Sequence, residues 1–190
     1  MKRSIGPRTL PFPTPVWVVG TYDTEGKPNV MTAAWAGICC SRPPCVYVSL
    51  RKATYSYGNI VARQAFTVSI PQEEHVAAVD YCGIASGRDV DKFARCKLTA
   101  VASDLVDAPY VQEFPLVMEC KLLHTVEIGL HTQFIGEVLD VKVDASVLGE
   151  TGMPDVTRAR TFVFAGDLKG SGYYGIGQYL GRAFSIGKTL

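Results

Sequence analysis

Two long β-type runs in the second half of the chain constrain its fold more than any other feature. They span residues 114–126 and 131–143, and the segment between them, Glu127-Ile-Gly-Leu130, contains a glycine suited to a turn. We therefore predict that the two runs pair as one antiparallel hairpin. Such a pairing favours an antiparallel sheet over a doubly wound parallel one.

The remaining elements are shorter and follow the same pattern. The predicted strands are residues 16–22, 28–36, 46–50, 66–70, 98–102 and 161–165. Residues 54–64 and 73–82 are the predicted helices, and residues 83–95 are predicted to form a polar loop. Because strands outnumber helices and hairpin-like turns join most neighbours, the sequence predicts a mainly β fold with helical insertions, arranged as an antiparallel barrel or sandwich.

Length and charge exclude several classes of function. A chain of 190 residues fits a single domain, here taken as 1–190 with an extended arm at 1–15 and a tail at 166–190. The net charge is +1 and the basic residues are scattered, so the sequence predicts no nucleic-acid partner. We also predict no membrane partner, because no apolar run is long enough to span a bilayer. The proline-rich start does not resemble a signal peptide, so we expect a cytoplasmic protein.

The cysteines and histidines do not form a pattern typical of metal sites. There are six cysteines and three histidines, and none of the cysteines forms a Cys-x-x-Cys pair. We interpret the cysteines as reduced, mostly buried thiols, and we predict no metal. The alternative is a redox-active thiol, for which Cys39, Cys40 and Cys82 are the candidates.

Aromatic residues in the predicted strands are expected to form the core. They are Trp17, Trp35, Phe66, Phe114 and Phe134. For the tyrosines of the tail, Tyr173, Tyr174 and Tyr179, two interpretations stay open. They pack across a dimer, or they form the wall of a ligand site.

One stretch, residues 29–60, carries chemistry suited to an anion. Thr32 lies on one predicted strand, Ser49 and Arg51 lie at the end of the next, and Ser56 lies where a helix begins. Hydroxyl groups, a guanidinium and the free amides of a helix N-terminus are the donors that a phosphate accepts. The alternative is that these hydroxyls only face solvent, or that Ser56 only caps its helix.

An ordered set of motifs along residues 10–188 resembles one family. The motifs are Asn29-Val-Met-Thr-Ala-Ala-Trp35, Arg42-Pro-Pro44, Val46-Tyr-Val-Ser-Leu-Arg51, Ser56 with Ile60, Cys82-Gly83, Ser86-Gly87, Asp91-Lys92-Phe93, Pro115-Leu-Val-Met-Glu-Cys120, His131-Thr-Gln-Phe-Ile-Gly-Glu-Val138 and Gly181-Arg-Ala-Phe-Ser-Ile-Gly187. Together they are similar to the flavin reductase-like, FMN-binding split-barrel family, in its flavoredoxin-like branch.

That resemblance implies an antiparallel, Greek-key-like split β-barrel that binds FMN as a homodimer. The implied function is two-electron transfer through bound FMN, with NADH, NADPH or a partner redox protein as the electron source. No catalytic side chain is implied, because hydride transfer depends on alignment. The alternative function is a non-enzymatic module that binds a flavin or another small ligand.

The same resemblance implies a set of cofactor-binding residues. They are Asn29, Met31, Thr32, Ala33, Ala34, Ser49, Leu50, Arg51, Ser56, Ser86, Gly87, Lys92 and His131. For Lys92, the alternative is a lysine that snorkels to the surface or pairs with an acid, and for His131 an ordinary hydrogen-bonded histidine. The family's Gly-Asp-His reads Gly129-Leu130-His131 here, which weakens the case for nicotinamide binding more than that for flavin binding. Cys39-Cys40 also departs from the small polar residues expected at that strand end.

Overall fold

The fold was obtained as a computed structural model and is described for residues 1–10, 12–166 and 170–189. Pro11 of the predicted arm and residues 167–169 and 190 of the predicted tail lie outside these ranges. The strands are β1 (Thr14–Pro15), β2 (Trp17–Tyr22), β3 (Pro28–Ala33), β4 (Ala36–Ser41), β5 (Pro44–Arg51), β6 (Ala65–Ile70), β7 (Ala100–Ala102), β8 (Pro109–Val111), β9 (Leu116–Ile128), β10 (His131–Val143), β11 (Phe162–Ala165) and β12 (Gly172–Gly175). The α-helices are α1 (Tyr55–Arg63), α2 (Val76–Ile84), α3 (Lys92–Cys96) and α4 (Val156–Ala159), and short 3₁₀ turns cover Glu73–His75, Ala145–Val147 and Ile186–Thr189.

The main sheet has seven strands in the order β3-β2-β6-β9-β10-β5-β4, and each neighbouring pair is antiparallel. β2 and β6 are buried along almost their whole length, as expected of strands covered on both faces. Although β3 and β5 are far apart in this order, they contact each other, so the sheet curls back on itself. The prediction of a mainly β, antiparallel barrel is confirmed.

The predicted long hairpin is present as β9 and β10. Gly129 occupies the turn with a φ of 52°, a left-handed value that glycine adopts without a steric penalty. The half of β9 near Leu116 is mostly buried, whereas the half that runs to Ile128 is exposed. The hairpin therefore extends beyond the body of the barrel.

The core lies inside the curled sheet and closes around two large aromatic side chains. Phe66 and Phe134 are both 0% exposed. A Cβ atom added at Gly136 would lie 2.6 Å from Phe66 Cζ, so the phenyl ring fills the space that a side chain at position 136 would need. The core predictions for these two phenylalanines, Trp17 and Phe114 are confirmed.

The core prediction for Trp35 was wrong, since its side chain is 42% exposed. The predicted strand 28–36 is in fact two strands, because the chain bends at Ala34 and Trp35 between β3 and β4. The bend takes the indole out of the sheet. β4 itself was missed, because it is an edge strand whose residues from Ile38 onward are exposed and give no alternating pattern.

The observed secondary structure differs from the prediction in three further places. The predicted loop 83–95 contains the start of α3, whose N-cap Asp91 accepts a hydrogen bond from the Ala94 amide at 3.0 Å. β12 was not predicted and pairs with β11. Thr54, not Ser56, is the N-cap residue of α1, so the capping interpretation of Ser56 was wrong.

None of the helices in the described residues is long and apolar enough to cross a membrane.

Candidate functional site

A cleft with two adjoining chambers lies along the ends of β3 and β5. The small chamber has a volume of about 270 Å³, and the large chamber about 530 Å³. The small chamber is lined by Met31, Arg51, Ala53, Thr54, Tyr55, Ser56, Cys82, Gly83, Ile84, Ala85, Ser86, Gly87 and Lys92. The large chamber is lined by Val16, Met31, Thr32, Ala33, Ala34, Trp35, Ser49, Leu50, Arg51, Thr54, Asp80, Gly83, Ile84, His131, Phe164 and Tyr173. The chambers share residues from β3, β5 and α2, so a single elongated ligand fits across both.

The floor of the cleft is formed where β3 and β5 end. The small side chains of Ala33 and Ala34 leave the backbone accessible to a flat group. The Ser49 amide donates to the Trp35 carbonyl at 2.8 Å, which joins β5 to the bend after β3. The Thr32 hydroxyl donates to the Val79 carbonyl, so its proton holds α2 against the floor and does not point at a ligand.

The first turn of α1 forms one wall of the small chamber. Thr54, Tyr55 and Ser56 line it, and the first amides of a helix lack partners within the helix. Ser56 is buried, and its Oγ accepts a hydrogen bond from Asn29 Nδ2 at 2.9 Å. Asn29 therefore lies behind the wall, where it holds Ser56 in place.

The segment after α2 forms the opposite wall. A Cβ atom added at Gly87 would lie 2.0 Å from Asn29 Oδ1, so only glycine allows this segment to approach β3 so closely. Asn29 Oδ1 is itself buried without a hydrogen-bond partner among the described residues. Ser86 lies beside Gly87 in the chamber lining, and the Arg88 amide donates to Ser86 Oγ at 3.2 Å.

Lys92 anchors that wall from inside. It is only 4% exposed, and its Nζ donates to the Val30 carbonyl at 2.8 Å and to the Cys82 carbonyl at 2.9 Å. Burial lowers the pKa of Lys92, and the nearby thiols of Cys82 and Cys96 act in the opposite direction. The alternative of a surface lysine paired with an acid is contradicted by this burial.

The small chamber is electropositive. Among the described residues that line it, Arg51 and Lys92 are cationic and none is a carboxylate. Arg88 adds a third cation at its edge, where the guanidinium lies 5.4 Å from the centre of the Tyr55 ring and donates to the Ala53 carbonyl at 2.8 Å. The chamber therefore favours an anion.

Tyr55 connects this chamber to the turn between β2 and β3, where the side chain of Asp23 is buried. Its hydroxyl donates to Asp23 Oδ2 at 2.7 Å, while Asp23 Oδ1 accepts from the amides of Glu25 and Lys27. The hydrogen bond from Tyr55, followed by those from the two amides, lowers the pKa of Asp23 against the opposing effect of burial. The β2–β3 turn thus fixes the aromatic ring at the chamber wall.

The large chamber is walled by aromatic rings. The Trp35 and His131 rings are parallel, with an interplanar angle of 1° and centroids 6.3 Å apart, and Phe164 lies 6.4 Å from Trp35. Tyr173 packs edge-on against Phe164 and donates to Asp80 Oδ1 at 2.8 Å. A flat aromatic ligand is the group that such walls accommodate best.

The predicted site residues converge on this cleft. Twelve of the thirteen line the two chambers, and the other, Asn29, lies directly behind Ser56. Sequence reasoning missed Tyr55 and Phe164 as lining residues and assigned Trp35 to the core. Tyr173 was one of three tail tyrosines with two open interpretations, and the structure places it at the cleft wall, whereas Tyr174 and Tyr179 are exposed.

A family model described as "Flavin reductase like domain" matches residues 8–163. The chain belongs to this flavin reductase-like family.

Similar structures and relatives agree with that membership. Flavoredoxin of Desulfovibrio vulgaris (Miyazaki F) superposes with a TM-score of 0.93 and 54% identity over 98% of this chain and 100% of that one. Flavoredoxin from Methanosarcina acetivorans superposes with a TM-score of 0.92 and 28% identity over 100% of this chain and 98% of the other. The high molecular weight rubredoxin of Moorella thermoacetica is 34% identical over 54% of this chain and 44% of its own length. Flavin reductase-like proteins therefore share this fold over nearly the whole described chain.

Proposed function

We propose that this protein binds FMN and acts as a two-electron redox protein of the flavoredoxin type. The observation that carries the proposal is the pairing of an electropositive chamber with an aromatic one in a single cleft. A phosphate fits the first chamber, and a flat ring fits the second. Membership in the flavin reductase-like family supports the same ligand.

The donor set fits the phosphate of FMN. Arg51 and Ser56 supply a guanidinium and a hydroxyl, and the first turn of α1 supplies backbone amides, while Ser49 lines the neighbouring large chamber. Arg88 adds to the positive electrostatic potential at the edge of the small chamber. In this arrangement Thr32 and Asn29 act as positioning residues, because Thr32 fixes α2 and Asn29 fixes Ser56.

The other predicted site residues position or enclose the flavin. Ala33, Ala34, Met31 and Leu50 line the large chamber and would support the ring, and His131 and Trp35 line the same chamber and would contact it. The wall of Ser86 and Gly87 closes the chamber, and Lys92 holds that wall to β3. These contacts orient the ligand and exclude water from it.

Bound FMN supplies the redox chemistry, accepting and donating two electrons. The protein needs no side chain that acts as a general acid or base. Electrons arrive from NADH or NADPH, or from a partner redox protein. The similarity to a high molecular weight rubredoxin supports the protein partner.

We also propose that the protein is a single-domain homodimer of the cytoplasm. Exposed apolar side chains at the tip of the long hairpin, such as Ile128 and Leu130, and in the tail, such as Leu180 and Phe184, support an interface between copies. All six cysteines are free thiols, which supports a reducing compartment. Light scattering coupled to gel filtration measures the oligomeric state.

Titration of the purified protein with FMN tests the binding proposal. We expect saturable quenching of flavin fluorescence and a perturbed visible spectrum that reaches one FMN per chain. A protein that leaves the FMN spectrum unchanged at millimolar concentration would contradict the proposal.

The electron source is tested on the FMN-loaded protein without oxygen. Bleaching by NADH or NADPH in stopped flow identifies a flavin reductase. If the nicotinamides bleach nothing within minutes while a reduced rubredoxin-type protein does, the protein is an electron carrier. Failure of every donor, including dithionite, would remove the redox function.

A further inference from the structure

Two cysteines face each other beside the small chamber. Cys82 Sγ, on α2, lies 3.9 Å from Cys96 Sγ, at the end of α3. Both are free thiols, and Cys82 is part of the chamber lining. A disulfide needs sulfurs about 2 Å apart, so the two sulfurs have to approach by about 2 Å, and the helices that carry them already contact each other.

The backbone around these thiols is fixed and forms the chamber wall. Lys92 Nζ donates to the carbonyl of Cys82 itself, which ties α3 to α2. The segment between the cysteines contains Ser86 and Gly87, both of which line the small chamber. A bond between the two sulfurs would close this segment into a loop.

We propose that Cys82 and Cys96 form a reversible dithiol–disulfide site that cross-links the wall of the cleft. The oxidant is a low-molecular-weight disulfide of the glutathione class. The proposal does not depend on which ligand the cleft binds.

The two cysteines take different parts in the reaction. Cys82 is 1% exposed, whereas Cys96 is partly exposed. Burial, followed by the neighbouring Cys96, raises the pKa of Cys82 to about 12, so Cys82 is the weaker nucleophile of the two for an oxidant in solution. Cys96 is therefore the thiol that reacts first.

The exchange balances in two steps. The Cys96 thiolate attacks one sulfur of the small disulfide, whose S–S bond breaks and releases one small thiol. Cys82 then gives its proton to solvent and attacks the Cys96 sulfur, which forms the Cys82–Cys96 bond and expels the second small thiolate, and that thiolate takes up a proton from solvent. The protein dithiol loses two electrons and two protons, and the small disulfide gains both.

Other thiols of the chain must be separated from this pair in a test. Cys39 and Cys40 are exposed, and Cys40 lies opposite Cys45 on the neighbouring strand. A variant with Cys39→Ser and Cys40→Ser removes the exposed pair and leaves four of the six cysteines. Neither substituted residue lines the two chambers.

The experiment exposes this double variant, free of flavin, to oxidised glutathione at about pH 8 and counts free thiols after denaturation. We expect the count to fall from four to two and to return to four with dithiothreitol. After tryptic digestion under non-reducing conditions, the peptide 64–88, which contains Cys82, should be linked to the dipeptide Cys96-Lys97. Closing this loop should also raise the melting temperature by roughly 5–10 °C.

The matched control adds Cys96→Ser to the same background, and it avoids a substitution at the buried Cys82. We expect this control to retain its three thiols and its melting temperature under the same treatment. An unchanged thiol count in the double variant, a glutathione adduct that persists on Cys96, or a cross-link to Cys45 or Cys120 would each overturn the proposal. Because thiols are counted without flavin, the result is independent of whether the cleft binds FMN.

Discussion

The two chambers of the cleft are built from different chemistry. The small chamber has cations, hydroxyls and helix amides, held by a buried lysine and a tyrosine–aspartate hydrogen bond. The large chamber has parallel aromatic rings and a floor of small residues, with few charges. The small chamber is therefore suited to holding a ligand, while the large chamber is suited to orienting the part that reacts.

The ligands FMN and riboflavin separate these roles, since they share the ring and differ by the phosphate. Substitutions in the small chamber should change the affinity for FMN and leave that for riboflavin unchanged. Substitutions in the large chamber should change both affinities by the same factor.

The largest effect is expected from Lys92→Met, which removes the support of the small chamber. The carbonyls of Val30 and Cys82 would lose their buried donor, and we expect a loss of about 2–4 kcal/mol in the free energy of unfolding. Urea denaturation measures this loss. Lys121→Met, at an exposed lysine of β9, is the matched control and should change stability by less than about 0.5 kcal/mol. Equal stability of the two variants would show that the anchor is unimportant.

Arg51→Ala should weaken FMN binding by about 1.5–3 kcal/mol, which is roughly ten- to a hundredfold in Kd. The reason is the loss of the charge-assisted hydrogen bond to the phosphate. Fluorescence titration with both ligands measures the effect, and riboflavin affinity should stay the same. Arg42→Ala, at the exposed β4–β5 turn, is the control. If the affinities for FMN and for riboflavin fell by the same factor, Arg51 would not contact the phosphate.

Asp23→Asn tests the outer support of the small chamber through pH. The pKa of Asp23 is lowered in the folded protein, so the ionised carboxylate stabilises the fold above the unfolded pKa of about 3.9. We expect the variant to be less stable than the wild type by about 1–2 kcal/mol at pH 7. This difference should shrink as pH falls through the folded-state pKa. Melting curves between pH 3 and pH 7 would contradict the assignment if the difference were constant.

Trp35→Ala should have the smallest effect on affinity, about 1 kcal/mol, because one wall of the aromatic chamber is lost while the phosphate contacts remain. FMN and riboflavin should weaken by the same factor in parallel titrations. Trp35→Phe retains an aromatic wall and is the matched control. A loss of affinity for FMN alone would mean that the two chambers do not act separately on the phosphate and on the ring.

The sequence predicted the architecture because apolar periodicity is a local signal. The β9–β10 hairpin and the strands of the core followed from alternation and turn residues, and both long helices followed from their apolar positions and their end signals. The bend at Ala34 and Trp35 could not be predicted, since nothing in the adjacent residues distinguishes a buried indole from an exposed one. Edge strand β4 was missed because exposed residues carry no periodic pattern.

For the cleft, the sequence predicted which residues lie near one another more reliably than what each side chain contacts. The chemistry of the hydroxyls and of Arg51 was enough to propose an anion site there. That the Thr32 hydroxyl donates to Val79, and that Lys92 is buried under two carbonyls, depends on which helix packs over the floor. Such contacts join residues far apart in the chain, so no local pattern indicates them.

The close fit between Gly136 and the Phe66 ring limits how this barrel can be redesigned. Any larger residue at 136 has to be introduced together with a smaller one at 66, because a Cβ atom there would overlap the ring. Libraries that vary position 136 alone should return only glycine, whereas libraries that vary 136 and 66 together can recover alternative combinations. The two positions therefore act as one unit of sequence variation.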